Sequence, residues 1–271
     1  MPELPEVETT RRGLEPLLVG RTVLSAKVHN RSLRWPVPRG LSKTLAGERV
    51  RAIDRRSKYL LVRCTGGTLL IHLGMTGHLR VIPAAEPLRK HDHVELLLDD
   101  GRALRFNDSR RFGALLWTKD DPLIHPLLKG LGPEPFGAAF TDVYLAGRAK
   151  GRVVAVKPFL MDAKTVVGVG NIYASEALFR AGIDPRRAAG KVSRAAFQRL
   201  VTSVREVLSE AIEAGGTTIR DFANSDGKPG YFRISLRVYG RGGEACVNCG
   251  ASIKLVRLGQ RSTYFCEKCQ K

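Results

Sequence analysis

The sequence predicts an α+β chain: an antiparallel β domain led by a helix, a helical domain after it, and a small metal-held ribbon at the carboxyl end. Three observations carry this. Residues 22–117 fall into short alternating segments, such as Thr68–Leu73 and Val94–Leu98, broken by Gly-Gly, Asp-Asp-Gly and Pro turns. Beyond residue 137 the apolar positions recur with helical spacing. Four of the five cysteines crowd into the last tenth of the chain. At 271 residues, 43% hydrophobic and 26% charged, the chain is long enough for more than one domain and has an ordinary globular composition.

Taken in order, Pro5 suits a first helical turn, Glu6 and Glu8 complement the helix dipole there, and Pro16 is expected to end that helix. In the apolar-flanked segment Tyr59–Cys64, Cys64 reads as a small core hydrophobe. The punctuated stretch Leu131–Gly137 cannot continue a strand and marks a domain boundary. A short helix is expected near 158–163. A second should start at Asn171 as N-cap, after Gly168-Val169-Gly170, and stop at Gly182. Ser193 caps a run with Phe197, Leu200, Val201, Val204, Val207, Leu208 and Ile212 on one face, stopped by Gly215-Gly216. The expected organisation is a β domain 1–131, a linker 132–150, a helical domain 151–236, and a small cysteine-bearing ribbon 237–271.

The charge balance selects the class of partner. Lys and Arg number 45 against 26 Asp and Glu, a net charge of +19, which favours a polyanion, and nucleic acid leads. A membrane surface is disfavoured, because no run of 18 apolar residues and no basic amphipathic helix is found. Glu3, Glu6 and Glu8 also break the basic-then-apolar order of a signal peptide, so a cytoplasmic protein is expected.

Cys246-Val-Asn-Cys249 and Cys266-Glu-Lys-Cys269 are two C-x-x-C knuckles separated by 16 residues. This is the spacing of a tetrahedral four-cysteine zinc ribbon on a β-hairpin, and the βαβ surroundings of a redox pair are missing. With all four positions filled by protein the zinc is structural, and no catalytic metal is expected. The hairpin between the knuckles carries Lys254, Arg257 and Arg261, which suit phosphates. At the other end, Pro2 follows the initiator Met with Glu3 beside it. On its own this dipeptide reads as a helix lead-in. A freed α-amine titrates near 8, about two units below lysine, so it can also serve as a nucleophile at neutral pH.

The motifs taken together carry more than any one of them. Pro2-Glu-Leu-Pro-Glu-Val-Glu-Thr9, Arg55-Arg-Ser-Lys-Tyr-Leu60, Ile71-His-Leu-Gly-Met75, Lys90-His-Asp-His93, Arg110-Arg-Phe-Gly113, Gly168-Val-Gly-Asn-Ile-Tyr-Ala-Ser-Glu176 and the four-cysteine ribbon stand in order along the whole chain. In these the chain resembles the formamidopyrimidine-DNA glycosylase family. The resemblance implies a β-sandwich for the first domain, a helix-two-turns-helix DNA element for the second, and a monomer. It implies excision of oxidised purines from duplex DNA, followed by β,δ-elimination at the abasic site. Pro2 would be the nucleophile, Glu3 the proton carrier, Lys58 a cation beside them, and Arg261 the clamp on the phosphates flanking the lesion. Met75, Arg110 and Phe112 match the residues that fill the gap left by a flipped nucleotide. His72, His91, Arg152 and Asn171 match DNA-contacting positions, and the Gly-rich segment Thr217–Tyr231 matches a loop that closes over the flipped base. Without the resemblance, Met75 and Phe112 read as core of the β domain, and Lys58 as a solvated lysine.

Two other functions compete with this one. A sister enzyme class of similar fold prefers oxidised pyrimidines, and a panel of lesion duplexes separates the two. A non-catalytic zinc-ribbon DNA-binding protein predicts binding without strand scission.

Overall fold

A computed structural model describes residues 2–215 and 236–271. The segment Thr217–Tyr231, matched above to a lesion-closing loop, lies outside the described residues. The chain divides into two compact units, one holding residues 1–129 and the other 130–214 and the chain from 236 onward.

In the first unit, α1 (Leu4–Leu18) starts with Glu3 as N-cap, and the Glu3 N–H donates to Glu6 Oε2 at 2.8 Å as half of a capping box. The helix runs two residues past Pro16 rather than ending there. Pro16 falls in the last turn, where one lost backbone bond costs least and little helix remains to be kinked.

Eight strands follow, with a short helix α2 (Leu41–Leu45) between the first two: β1 (Val23–Val28), β2 (Val50–Arg56), β3 (Tyr59–Cys64), β4 (Thr68–His72), β5 (His78–Pro83), β6 (Asp92–Leu98), β7 (Arg102–Asn107) and β8 (Ala114–Thr118). They form two four-stranded antiparallel sheets in the orders β1-β6-β7-β5 and β2-β3-β4-β8. One apolar core joins them. Val23, Leu96, Leu104 and Phe106 come from the first sheet, Ile53, Leu60, Val62, Leu69, Ile71 and Leu115 from the second, and Val7, Leu14 and Leu18 from α1. This is the antiparallel sandwich with a leading helix that the alternating pattern and the resemblance imply. Cys64 belongs to the same core, and burial pushes its thiol up to about 12, so it packs as a hydrophobe.

The second unit is helical, with α3 (Asp142–Ala149), α4 (Val156–Met161), α5 (Asn171–Ala181) and α6 (Arg194–Glu213) preceding a hairpin of β9 (Lys254–Leu258) and β10 (Arg261–Phe265). The Ser193 hydroxyl accepts from Ala196 N–H and caps α6, whose apolar stripe Phe197, Leu200, Val204, Val207 and Leu208 is buried. Helix α5 ends at Gly182 in the left-handed conformation (φ 69°), as a C-terminal glycine should. Its start differs from the expectation: Gly170 is the N-cap and Asn171 is the first helical residue. The Asn171 side chain is engaged elsewhere, as shown below.

One ion pair lies deep in the first sheet. Arg80 Nη2 donates to both oxygens of Asp92, at 2.8 and 3.0 Å, and both residues are buried. Burial opposes ionisation of Asp92, but hydrogen bonds from Asn107, the Arg89 N–H and Arg80 outweigh it and hold the carboxyl below its usual range. Asp92→Ala leaves the Arg80 charge buried without its main partner and should cost about 3–5 kcal/mol in denaturant unfolding. Because the folded carboxyl titrates below its unfolded value, its stabilisation is full above the unfolded pKa and fades as pH falls through the folded one. The wild type should show that acid-side loss, and the variant should lack this share of it.

Candidate functional site

Of the residues singled out in the first unit, Pro2, Glu3, Lys58 and His72 lie at the start of α1, on the β2–β3 turn and at the end of β4. Pro2 and Glu3 are buried, with Glu3 at 2% exposure on the positive end of the helix dipole. Lys58 is half-buried on the two-residue turn joining β2 to β3, where Arg56 pairs with Tyr59. His72 ends β4, pairs across the sheet with Tyr59, and lies ring to ring with it at 4.7 Å. The Gly74 N–H donates to His72 Nδ1 at 3.0 Å, which leaves the proton on Nε2. Burial first, then the charges of Lys58 and Arg34, push this imidazole down to about 4. His72 is thus a neutral ring with one N–H to offer.

Met75, Arg110 and Phe112 sit on two loops clasped by one carboxylate. Buried Asp108 accepts from the Thr76 hydroxyl at 2.5 Å through Oδ1 and from the Gly113 N–H at 2.8 Å through Oδ2. The Thr76 hydroxyl in turn accepts the Arg110 N–H at 3.1 Å, and the Asp108 carbonyl meets His93 Nε2 at 2.7 Å. Gly74 (φ 64°) lets the loops touch, because a Cβ there would collide with the backbone of Phe112 and Gly113. Phe112 is 43% exposed with the Arg110 guanidinium over its ring at 4.9 Å, and Met75 is half-buried. The core reading of Phe112 therefore does not hold. An open cleft of about 510 Å³ beside it is lined by Ser32, Arg34, Arg110, Arg111 and Phe112.

In the second unit a buried lysine, Lys157, organises the start of α5 and the zinc hairpin. Its Nζ donates to Asn171 Oδ1 at 2.7 Å, to the Ser262 carbonyl at 2.9 Å and to Thr263 Oγ1 at 2.9 Å. The demand of Lys157 for acceptors explains why Asn171 is not the cap. The Tyr239 hydroxyl lies 3.5 Å from Asn171 Nδ2, and Glu176 accepts three backbone N–H groups from residues 237–239 at 2.8–3.0 Å. The cross-strand register places Arg261 and Lys254 on the face of buried Thr263 and Phe265, and Arg257 on the other. The three hairpin cations do not share one surface. Arg261 is exposed and has no carboxylate partner among the described residues. Arg152 is exposed on the loop before α4, and His91 is half-buried in the turn before β6, where its carbonyl accepts the Asp108 N–H at 3.1 Å.

The four cysteine sulfurs lie within 4.8 Å of one another, with Cys246–Cys269 at 3.8 Å and Cys249–Cys266 at 3.5 Å. Zinc–sulfur bonds of about 2.3 Å in a tetrahedron set sulfurs about 3.8 Å apart, so the residues fit a structural zinc with no open position. The apolar cluster beneath them is small, made of Phe179, Val238 and Ile253 with Cys246 and Cys266.

Reading the sequence alone missed Lys157, Tyr239, Asp108 and Arg34, and gave Glu176 no role beyond its place in a motif. Lys157 and Glu176 carried a usable signal, a charged residue amid apolar neighbours (Val-Val-Ala-Val-Lys157 and Ala-Ser-Glu176-Ala-Leu). Backbone strain marks the same surfaces. The non-glycine residues described in the left-handed region are Ser57 (φ 59°), His91 (φ 73°), Arg111 (φ 57°) and Gln260 (φ 60°), each at or beside a residue singled out above. Such a conformation costs about 1–2 kcal/mol per residue.

Comparison with known proteins accounts for the whole length. The model of the formamidopyrimidine-DNA glycosylase N-terminal domain matches residues 1–115, that of its H2TH domain residues 131–223, and that of a zinc finger found in FPG and IleRS residues 243–271. A formamidopyrimidine-DNA glycosylase from Stutzerimonas stutzeri is 58% identical over 271 residues, covering 100% of both chains. Among solved structures, a complex of the Lactococcus lactis Fpg with DNA containing FAPY-dG aligns with TM-score 0.90 at 33% identity, over 99% of this chain and 100% of that one. Its complex with DNA containing an abasic site aligns with TM-score 0.91 at 33% identity, over 99% of each chain.

Two measurements test this geometry. Nitrogen-15 spectra of His72 should show the neutral Nε2–H form at pH 6 and titration near 4. Because the folded imidazole titrates below its unfolded value, its share of stability is full above the unfolded pKa and fades as pH falls through about 4. Stripping zinc with a chelator, or Cys249→Ser, should unfold residues 243–271 while the sandwich resonances persist, since metal binding worth about 10–16 kcal/mol holds comparable short fingers.

Proposed function

The chain belongs to the formamidopyrimidine-DNA glycosylase family, and within that family we propose that it excises oxidised purines from duplex DNA and then cleaves the backbone as an abasic-site lyase through its amino-terminal proline. The observation that carries the reading is the clasped wedge. A large aromatic, Phe112, stands 43% exposed on a strained turn with an arginine over its face, and packing gives no reason for it to be there. A side chain so presented suits insertion into a base stack, where an apolar group offsets the unstacking cost of flipping a nucleotide. In this reading Met75 fills the vacated space and Arg110 faces the orphaned base.

The chemistry follows from the residues at the mouth of α1. Removal of Met1 frees the secondary amine of Pro2, which attacks C1′ of the flipped nucleotide. The N–C1′ bond forms as the base leaves with the bonding pair and a proton, and opening of the C1′–O4′ bond leaves a cationic iminium. That cation accepts electrons when a C2′ proton is lost, and the C3′–O3′ bond then breaks with the 3′ phosphate leaving with its pair. The conjugated iminium accepts electrons again when the C4′ proton is lost, and the C5′–O5′ bond breaks with the 5′ phosphate leaving. Glu3 carries the protons. Lys58 and the neutral N–H of His72 favour the phosphate beside the reacting sugar. Arg261, Asn171, Arg152 and His91 hold the phosphates that position the duplex. Zinc supplies no chemistry here; it keeps the Arg261 hairpin folded. A basic chain of +19 acting on chromosomal DNA as a monomer belongs in the cytoplasm of a bacterium, and no helix among the described residues is long and apolar enough to cross a membrane.

The test is borohydride reduction of the purified protein with a duplex carrying 8-oxoguanine opposite cytosine, followed by mass mapping of the cross-linked peptide. A cross-link on Pro2 is expected, and Glu3→Gln should slow turnover at least a hundredfold with binding retained. A cross-link on Lys58 would move the nucleophile. Binding without base release from any oxidised lesion would sink the enzyme reading.

A further inference from the structure

We infer that Gln260, at the tip of the zinc hairpin, is a DNA-contacting residue that donates its side-chain amide to a phosphate oxygen beside the one Arg261 holds; this rests on the DNA-binding reading above. Gly259 and Gln260 form the two-residue loop between Leu258 and Arg261, and both have positive φ, 51° and 60°. That pattern belongs to a type I′ turn, whose second position favours glycine because a Cβ there is strained. Gly259 stands at this turn too, its Cα side facing Pro158, so the strain of the second position falls on a glutamine that a glycine would relieve.

Folding gives no return for that strain. The Gln260 side chain is exposed and makes no hydrogen bond among the described residues, and the turn is held from elsewhere: Lys157 grips Ser262 and Thr263, and Leu258 pairs with Arg261. The other left-handed non-glycine residues adjoin or are residues assigned to DNA: Ser57 precedes Lys58, His91 is one itself, and Arg111 lies between Arg110 and Phe112. Strain of this kind clusters where a side chain must be presented to a ligand. Next to an exposed guanidinium with no carboxylate partner among the described residues, the ligand is anionic, and an uncharged amide at the tip complements it as a donor.

The test compares wild type, Gln260→Gly, Gln260→Asn and Arg261→Ala for binding to a duplex carrying a reduced abasic-site analogue, across a salt series. Zinc release to a chelator is followed in parallel. Gln260→Gly should weaken binding about ten- to a hundredfold, as loss of one hydrogen bond to a charged acceptor does, while the slope of log affinity against log salt stays unchanged because no charge is lost. Its zinc should be released no faster than from wild type. Gln260→Asn, which tolerates the left-handed backbone and keeps the amide, should recover part of the loss. Arg261→Ala should lower the salt slope by about 0.9. Wild-type affinity in Gln260→Gly, or a loss matched by faster zinc release, overturns the inference and leaves the proposed function standing. Failure of the wild type to bind the lesion duplex overturns both.

Discussion

One buried carboxylate, Asp108, holds the working surface of the sandwich in shape. It ties Thr76 to Gly113 through its two oxygens, and its own N–H donates to the carbonyl of His91. Three loops, those between β4 and β5, β5 and β6, and β7 and β8, are thereby made into one platform. Beyond Leu73, the loops that bear Met75, Arg110 and Phe112 have no fully buried apolar side chain. Their order must come from polar contacts shielded from water, where a satisfied hydrogen-bond network is strong and a broken one is costly. Gly74 completes the arrangement, because only a residue without Cβ lets the two backbones meet.

The second unit solves the same problem with different groups. Buried Lys157 joins the first residue of α5 to the β10 backbone, and buried Glu176 gathers three successive N–H groups of the chain at 237–239. The zinc site takes over where the apolar cluster is too small to hold a hairpin. In each case a charged or metal-binding group is committed to the interior so that neighbouring charged groups stay free for a polyanion. Arg261 is the clearest example, exposed and without a carboxylate partner among the described residues, on a hairpin that Lys157 holds through Ser262 and Thr263.

Burial also decides what the titratable groups near the surface can do. His72 is held neutral by desolvation and by the positive charges of Lys58 and Arg34, so it offers a single N–H and does not switch in the physiological range. Cys64, lifted to about 12 in the core, is removed from thiol chemistry altogether.

What the sequence by itself determined is local. The alternation of residues 22–117 makes strands, the stripe capped by Ser193 makes α6, and the cysteine spacing makes a four-sulfur site, because each signal is complete within a few turns or one hairpin. The motifs also carried the family, and with it the list of residues to inspect. Tertiary structure decided the rest. Pro16 stays inside α1, Asn171 yields the cap to Gly170, Arg257 turns away from Arg261, and Phe112 stands out of the core rather than in it. The groups that enforce these outcomes are far apart in the chain: Thr76 and Asp108 are 32 residues apart, Glu176 and Val238 are 62 apart, and Lys157 and Thr263 are 106 apart. A hydrogen bond acts over about 3 Å, so no window of sequence contains it until the fold has closed that distance.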